Sequence, residues 1–315
     1  MTTNIESSPA AGPLAAEASG SNQSPRQRRR ESRGNLTFSK GARAKAVIKH
    51  VILSMAALVM IYPLLWLVVS SLRPNDLIFK DPTLLLTTFK LDNFTNGWTA
   101  LSHPFGQYLF NSAVVVLGSI IGNLVSCSMT AYAFARLHFT GKKFLFGSML
   151  VTIMLPIHVI LVPQYILFSQ IGWINTFWPL IVPKLLATDA FFTFLMVQFI
   201  RGIPKELDEA ARIDGAGHPR IFLRVILPLM VPALATTTIF TFIWTWNDFF
   251  SQLIYLTKPE TFTVPVALRQ FVDSTSATDW GSMFAMSVVT LLPVFVVFLF
   301  GQRFLIKGIA TTGIK

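Results

Sequence analysis

Apolar residues run through this chain in long blocks, without the short polar–apolar alternation of a fold surrounded by water. Six blocks reach the length, about 20 residues, that a helix needs to cross the hydrocarbon core of a bilayer. They fall near residues 48–72, 108–135, 144–169, 177–200, 229–256 and 282–305. A helix satisfies its own backbone polar groups in lipid, so the expected fold class is all-α, a polytopic membrane protein with six transmembrane helices. Pro156, Pro163, Pro179, Pro183, Pro232 and Pro293 punctuate the blocks. Each removes a backbone donor and tends to kink its helix. Such kinks favour a bundle around a wet cavity, where freed carbonyls find partners, although a packing bend explains any single proline equally well. The second block carries Gly118, Gly122, Ser126 and Thr130 at four-residue spacing, a small-residue stripe that admits another helix closely. Spacing alone leaves open whether that helix belongs to this chain or to a partner.

Charge gives the blocks an orientation. Only 13% of the 315 residues are charged, against about 25% in soluble domains, which excludes a soluble protein. The net charge of +11 would suggest nucleic acid in a soluble chain; here it lies in loops and a tail, and no nucleic-acid partner is expected. Lys and Arg number 20 on the side of the two termini and 5 on the other, with Lys184 inside the fourth block. The positive-inside bias then places both termini, and the stretch 201–228, in the cytoplasm. Residues 1–45 are too polar to fold alone and form a basic cytoplasmic tail. Its cluster Arg26, Arg28, Arg29, Arg30 and Arg33 suits anionic lipid. The first block is a full span without a small-residue cleavage site, unlike a cleaved signal peptide. A single cysteine, Cys127, excludes an intrachain disulfide framework and a cysteine metal cluster.

The chemistry concentrates between the fourth and fifth blocks. Pro204 suits a first helical turn, Glu206 and Asp208 put negative charge at the positive end of a helix dipole, and Gly215 and Gly217 supply a stop. A short helix over 204–214 follows, with Lys205–Glu209 and Asp208–Arg212 as i,i+4 pairs worth roughly 0.3–0.5 kcal/mol each. Leu207, Ala210 and Ala211 make a small smooth patch on it, with Glu209 beside them ready to pair. Arg220 and Arg224 straddle Phe222 and Leu223, an amphipathic stretch suited to the interface. Pro228 and Pro232 open the fifth span. The alternative is an interfacial helix that merely links two spans.

Glu209-Ala210-Ala211, three residues, Gly215, nine residues, then Val225-x-Leu227-Pro228 resembles the EAA motif of ABC-importer permeases, EAA-x3-G-x9-I-x-LP, departing only in Val225. The six-span layout, the run Trp244-Thr245-Trp246-Asn247-Asp248-Phe249 and the terminal Gln302-Arg303-Phe304-Leu305-Ile306-Lys307-Gly308 extend the resemblance to maltose-type (MalG-like) carbohydrate permeases over about 47–315. The resemblance implies the type I importer (MetI-like) fold, with a first helix and extracytoplasmic loop over 46–107, a five-helix core over 108–305 and a tail over 306–315. It implies a coupling helix seated in a cytoplasmic ATPase dimer, with Glu209, Ala210, Ala211, Asp214, Gly215, Leu227 and Pro228 as its contact and turn residues. It also implies a homologous second permease, an extracytoplasmic sugar-binding protein and a bacterial cell membrane. ATP and Mg would belong to the ATPase, leaving this chain with no cofactor and no catalytic role.

A sugar path needs hydrogen-bonding groups and aromatic faces. Trp244, Trp246, Asn247, Asp248 and Gln252 supply them in the fifth block, and His158 and Gln164 in the third. Asp248 lies 20 residues past Pro228, which on a straight helix is about 30 Å, near the outer mouth. Tryptophan belts at membrane interfaces offer a plainer reading. No phosphate loop, zinc-type His pair or nucleophile elbow is present. An ion-gradient transporter would want charges at mid-membrane, and only Lys184 and Asp189, read as lying toward the outer end of the fourth block, come near. A non-transporting scaffold is the third reading.

Overall fold

The computed structural model describes residues 40–85, 88–272 and 279–310; the basic cluster at 26–33 and residues 311–315 lie outside the described residues. Besides single turns, its helices are α1 (Lys40–Ser71), α2 (Asp92–Thr99), α3 (Phe105–Arg136), α4 (Lys142–Ile153), α5 (Ile157–Gln170), α6 (Trp178–Leu185), α7 (Ala190–Arg201), α8 (Glu206–Ile213), α9 (His218–Leu229), α10 (Val231–Trp246), α11 (Phe250–Tyr255), α12 (Val264–Gln270) and α13 (Trp280–Ala310). No strand occurs among the described residues. The described residues fall into two compact units, divided after Met60. The first contains the start of α1, whose apolar stretch Lys45–Ser71 has a mean hydropathy of 2.4. The later elements belong to the second.

Four stretches are long and apolar enough to cross a bilayer, and counting each of two bent pairs, α4 with α5 and α9 with α10, as one span gives six crossings. The six-span expectation is met, but the third and fifth spans are not straight. Between α4 and α5 the axis turns by 104°. Pro156 stands there in an extended conformation (φ −61°, ψ 130°), lacking the N–H that would continue α4 and disfavouring a helical conformation for the residue before it. The fifth span stops at Trp246 because Asn247 competes for the end of the helix. Its side-chain amide and its backbone N–H both donate to the Ile243 carbonyl, and Asp248 Oδ1 accepts the Ser251 N–H at 3.1 Å to start a new turn. The fourth span breaks between α6 and α7 at residues 186–189, where Ala187 adopts φ +54° and the Thr188 hydroxyl donates to the Pro183 carbonyl at 2.8 Å.

Helix α3 is the centre of the bundle and packs on α6, α7 and α10. Its small-residue stripe meets α6 of the same chain. A β-carbon at Gly118 would sit 2.8 Å from Ile181 Cδ1, and one at Gly122 3.0 Å from Lys184 Cβ. Ser126 completes the seam by donating to the Lys184 carbonyl at 2.6 Å. The stripe is thus an intramolecular contact. Two apolar clusters lie along α3. One gathers around Phe105, Tyr108, Trp246 and Leu256, the other around Tyr132, Phe192, Met196 and Ile200 near the Arg136 end. Between them is a polar level containing Asn123, Thr237 and Thr241, all buried.

At the Phe105 end, loops are tied down by buried polar groups. Arg73, 2% exposed, donates to the carbonyls of Asp81, Thr83 and Leu85. Asp279, just ahead of α13 and outside the span, accepts from Asn75 at 2.9 Å and from the Ser282 hydroxyl at 2.5 Å. Burial works to raise its pKa, but these donors and Lys90 outweigh burial and hold it below the ordinary carboxylate value. A depressed folded pKa means that the contribution is present above the ordinary value, about 4, and is lost as pH falls through the folded one. Thermal unfolding of the wild type should therefore lose more stability between pH 7 and pH 3 than Asp279→Asn does. Equal losses would remove this lock.

Candidate functional site

The stretch between the fourth and fifth spans folds as two short elements on the Arg136 end of α3. Helix α8 begins at Glu206, two residues later than the sequence suggests: the Lys205 carbonyl accepts the Asp208 and Glu209 N–H groups, leaving Pro204 ahead of the helix. The expected Asp208–Arg212 pair is replaced. Asp208 turns inward to Arg136 of α3 with Oδ2 2.7 Å from Nε, and the two side chains are only 7% and 4% exposed. Arg136 Nη2 also donates to the Ile203 carbonyl at 2.7 Å. One guanidinium thereby fixes both α8 and the turn before it to the central helix. Glu209 is exposed and forms no ion pair among the described residues.

Helix α8 ends in a Schellman motif. Gly215 sits at φ +77°, its N–H donating to the Arg212 carbonyl, while the Ala216 N–H reaches back to the Ala211 carbonyl. Asp214 is the cap residue before it. Ala211 and Ala216 both pack against the apolar cluster near the Arg136 end of α3, so Ala211 is half-buried and Ala210 faces outward. The exposed face is Leu207, Ala210 and Ile213, the last 87% exposed. Ile213 was not singled out from the sequence, although it lies three residues past Ala210. Nothing lies within 4 Å of a β-carbon built on Gly215, so its requirement is purely conformational. Gly215→Ala should cost about 1–2 kcal/mol, read as a lowered melting temperature of the purified complex, and Gly215→Asn should cost less.

Helix α9 follows from Gly217. Its middle, Phe222–Ile226, is a π-turn in which the Leu227 N–H reaches the Phe222 carbonyl. The widened turn precedes Pro228, which has no N–H to return to Arg224. The chain then bends by 75° into α10. The Tyr132 hydroxyl of α3 contacts His218 Nδ1 at 3.1 Å, and its ring packs on Phe222. Met230 is therefore the elbow between α9 and α10, and Leu227 and Pro228 belong to the last turn of α9 before it.

A cavity of about 740 Å³ opens between the third, fourth and fifth spans, and Gln164, Lys184, Asp189, Trp244, Asp248 and Tyr255 line it. Three of the seven pathway candidates, Gln164, Trp244 and Asp248, share this wall. Trp246 does not: it is buried and stacked on Phe242. Gln252 is also buried, bonded to the Thr245 carbonyl and to the Thr263 hydroxyl. Asn247 caps α10, and His158 is exposed against the edge of Phe250. Lys184 and Asp189 are not at an outer end. Asp189 accepts from Asn123 at 2.7 Å, and Asn123 lies about 27 Å from the start of α3 and about 20 Å from its end, which is mid-depth.

Residues 115–310 match the family described as binding-protein-dependent transport system inner membrane component. The chain belongs to that family, and it is a multi-pass ABC-transporter permease, a transport subunit. It is 34% identical over 254 residues to the probable ABC transporter permease protein YurM of Bacillus subtilis, covering 81% of this chain and 83% of that one. It is 33% identical to the arabinooligosaccharides transport system permease protein AraQ of Halalkalibacterium halodurans, covering 82% and 92%. A crystal structure of a bacterial ABC transporter involved in the import of the acidic polysaccharide alginate contains a chain of the same fold, with TM-score 0.75 at 21% identity, covering 84% of this chain and 98% of that one.

Proposed function

We propose that this chain is one of two homologous permease subunits of an ATP-driven importer of oligosaccharides or related carbohydrates. Its termini and α8 face the cytoplasm, where α8 seats in an ATPase dimer that supplies ATP, Mg and hydrolysis. An extracytoplasmic binding protein delivers the solute, and this chain binds no cofactor. The observation that carries the reading is the build of α8: an outward face of Leu207, Glu209, Ala210 and Ile213 on a helix fixed to α3 through Asp208. A knob so fixed can transmit a push, whereas a linker would not need a buried ion pair. Glu209 pairs with a basic residue of the ATPase, Ala210 gives close approach, and Asp214, Gly215, Leu227 and Pro228 set the turns. The carbohydrate class is supported by relatives described as carrying arabinooligosaccharides, diacetylchitobiose and galactooligosaccharides. Gln164, Trp244 and Asp248 are the pathway residues it favours. Family membership leaves the ion-gradient and scaffold readings without support.

The test is reconstitution of the full complex in liposomes. Sugar uptake is expected only with the ATPase and ATP present. Uptake by the permeases alone would end the reading.

A further inference from the structure

The cavity wall has an unusual charge inventory for the middle of a membrane protein. Its lining includes one ammonium, Lys184, and two carboxylates, Asp189 and Asp248. Lys184 Nζ donates to both oxygens of Asp189 at 2.9 Å. Asn123 Nδ2, itself buried, donates to Asp189 Oδ2 at 2.7 Å and lies 3.1 Å from the Thr241 hydroxyl. The ion pair is held at the break between α6 and α7, with its two side chains 30% and 23% exposed, and both residues line the cavity. A charge placed at this depth is costly unless it is paired or faces water, and here it has both. Asp248 forms no ion pair among the described residues. It accepts only the Ser251 N–H at 3.1 Å among the hydrogen bonds and ion pairs of the described residues. The wall therefore carries an excess of one negative charge in a low-dielectric surround, where such a field is focused.

We propose that this wall selects uncharged, polyhydroxylated solutes against anions, with Asp248 and the Lys184–Asp189 pair as its specificity-determining groups. Carboxylate oxygens accept from sugar hydroxyls, the third ammonium hydrogen of Lys184 is left to donate, and the Trp244 face is available for stacking. Because Lys184 is already chelated by Asp189, it cannot act as the free cation that a phosphate or carboxylate solute would require. The proposal rests on the importer reading and narrows its substrate class. A relative in Yersinia enterocolitica, 31% identical, is described as an sn-glycerol-3-phosphate permease, which makes that phosphate the discriminating anionic probe.

The sign of the field is measured directly, without knowledge of the natural solute. Ser251 lines the cavity, so Ser251→Cys in the assembled importer is labelled with methanethiosulfonate reagents of equal size and opposite charge. The unmodified importer is the blank, because its Cys127 is fully buried. With each rate divided by that reagent's rate with a small thiol in solution, the cationic reagent is expected to react about tenfold faster than the anionic one. Adding Asp189→Asn and Asp248→Asn leaves Lys184 as the only charge and should invert the ratio. Equal rates, faster anionic labelling, or a ratio unmoved by the two substitutions would overturn the proposal. A second arm measures uptake of arabinotriose, diacetylchitobiose, galactobiose and sn-glycerol 3-phosphate by cells holding the complete system. Uptake of a neutral probe without the phosphate is expected. Uptake of the phosphate at a comparable rate, or of no neutral probe, overturns it as well. Neutral uptake that ignores ATP depletion would instead remove the importer reading and leave the reagent ratio standing.

Discussion

Glu209→Lys is expected to reduce ATP-driven uptake at least about tenfold while leaving the chain in the membrane. Glu209 is exposed and unpaired among the described residues, so the substitution removes no contact within the fold and should leave thermal stability within about 0.5 kcal/mol. On the proposed reading its effect falls on the ATPase. Reversing one member of a charge pair at an interface replaces attraction with repulsion, and desolvated like charges cost several kcal/mol. Two readings check the result. Uptake should collapse, and the ATPase should co-purify more weakly or hydrolyse ATP without transport. A charge-reversed ATPase cleft should restore uptake. Wild-type uptake by Glu209→Lys in an intact complex would show that α8 is only a linker.

The second large effect concerns Asp208. Removing one member of a buried ion pair leaves the other charged and without its counter-charge, a loss of about 3–5 kcal/mol. Asp208→Asn and Arg136→Met should each approach that loss, read as a drop in melting temperature and as faster proteolysis of the loop 201–228. The double replacement Arg136→Met with Asp208→Leu removes both charges and should recover most of the stability, since well-packed apolar substitutes for a buried pair are often neutral or better. Uptake should recover less than stability, because Arg136 also holds the Ile203 carbonyl and two flexible apolar side chains fix the angle of α8 less firmly. Additive losses in the double variant would mean that the pair does not act as a unit.

The contrast between Glu209 and Asp208 shows what the sequence could and could not reveal. Both are acidic residues in the first turn of an amphipathic helix, and local spacing offers each a basic neighbour four residues away. Only tertiary structure decides that Asp208 faces α3 and Glu209 faces out. The spans themselves were legible, because long apolar runs need no partner to be recognised. Where those runs break was less legible. Pro156 announced its bend, but Asn247 and Asp248 ended α10 through side-chain hydrogen bonds hidden inside an otherwise apolar stretch. The depth of Lys184 and Asp189 was misjudged for a related reason: counting along a chain assumes one straight helix, and theirs is interrupted between them. Gly215 could be read correctly from the chain, since a helix stop at a left-handed residue is a local requirement. The Gly118–Gly122 stripe announced a close contact without naming its partner, which only the packing of α6 supplies.

Helix α3 is the one core span without a proline or a break, while the fourth span, packed against it, breaks beside Asn123 at residues 186–189. An unhinged rod has no slack. Whatever displaces its Arg136 end must displace Asn123 by the same amount, and Asn123 grips the carboxylate in the cavity wall. In the importer proposed above, the two ends would be joined by a stiff axle rather than by a relay of soft contacts.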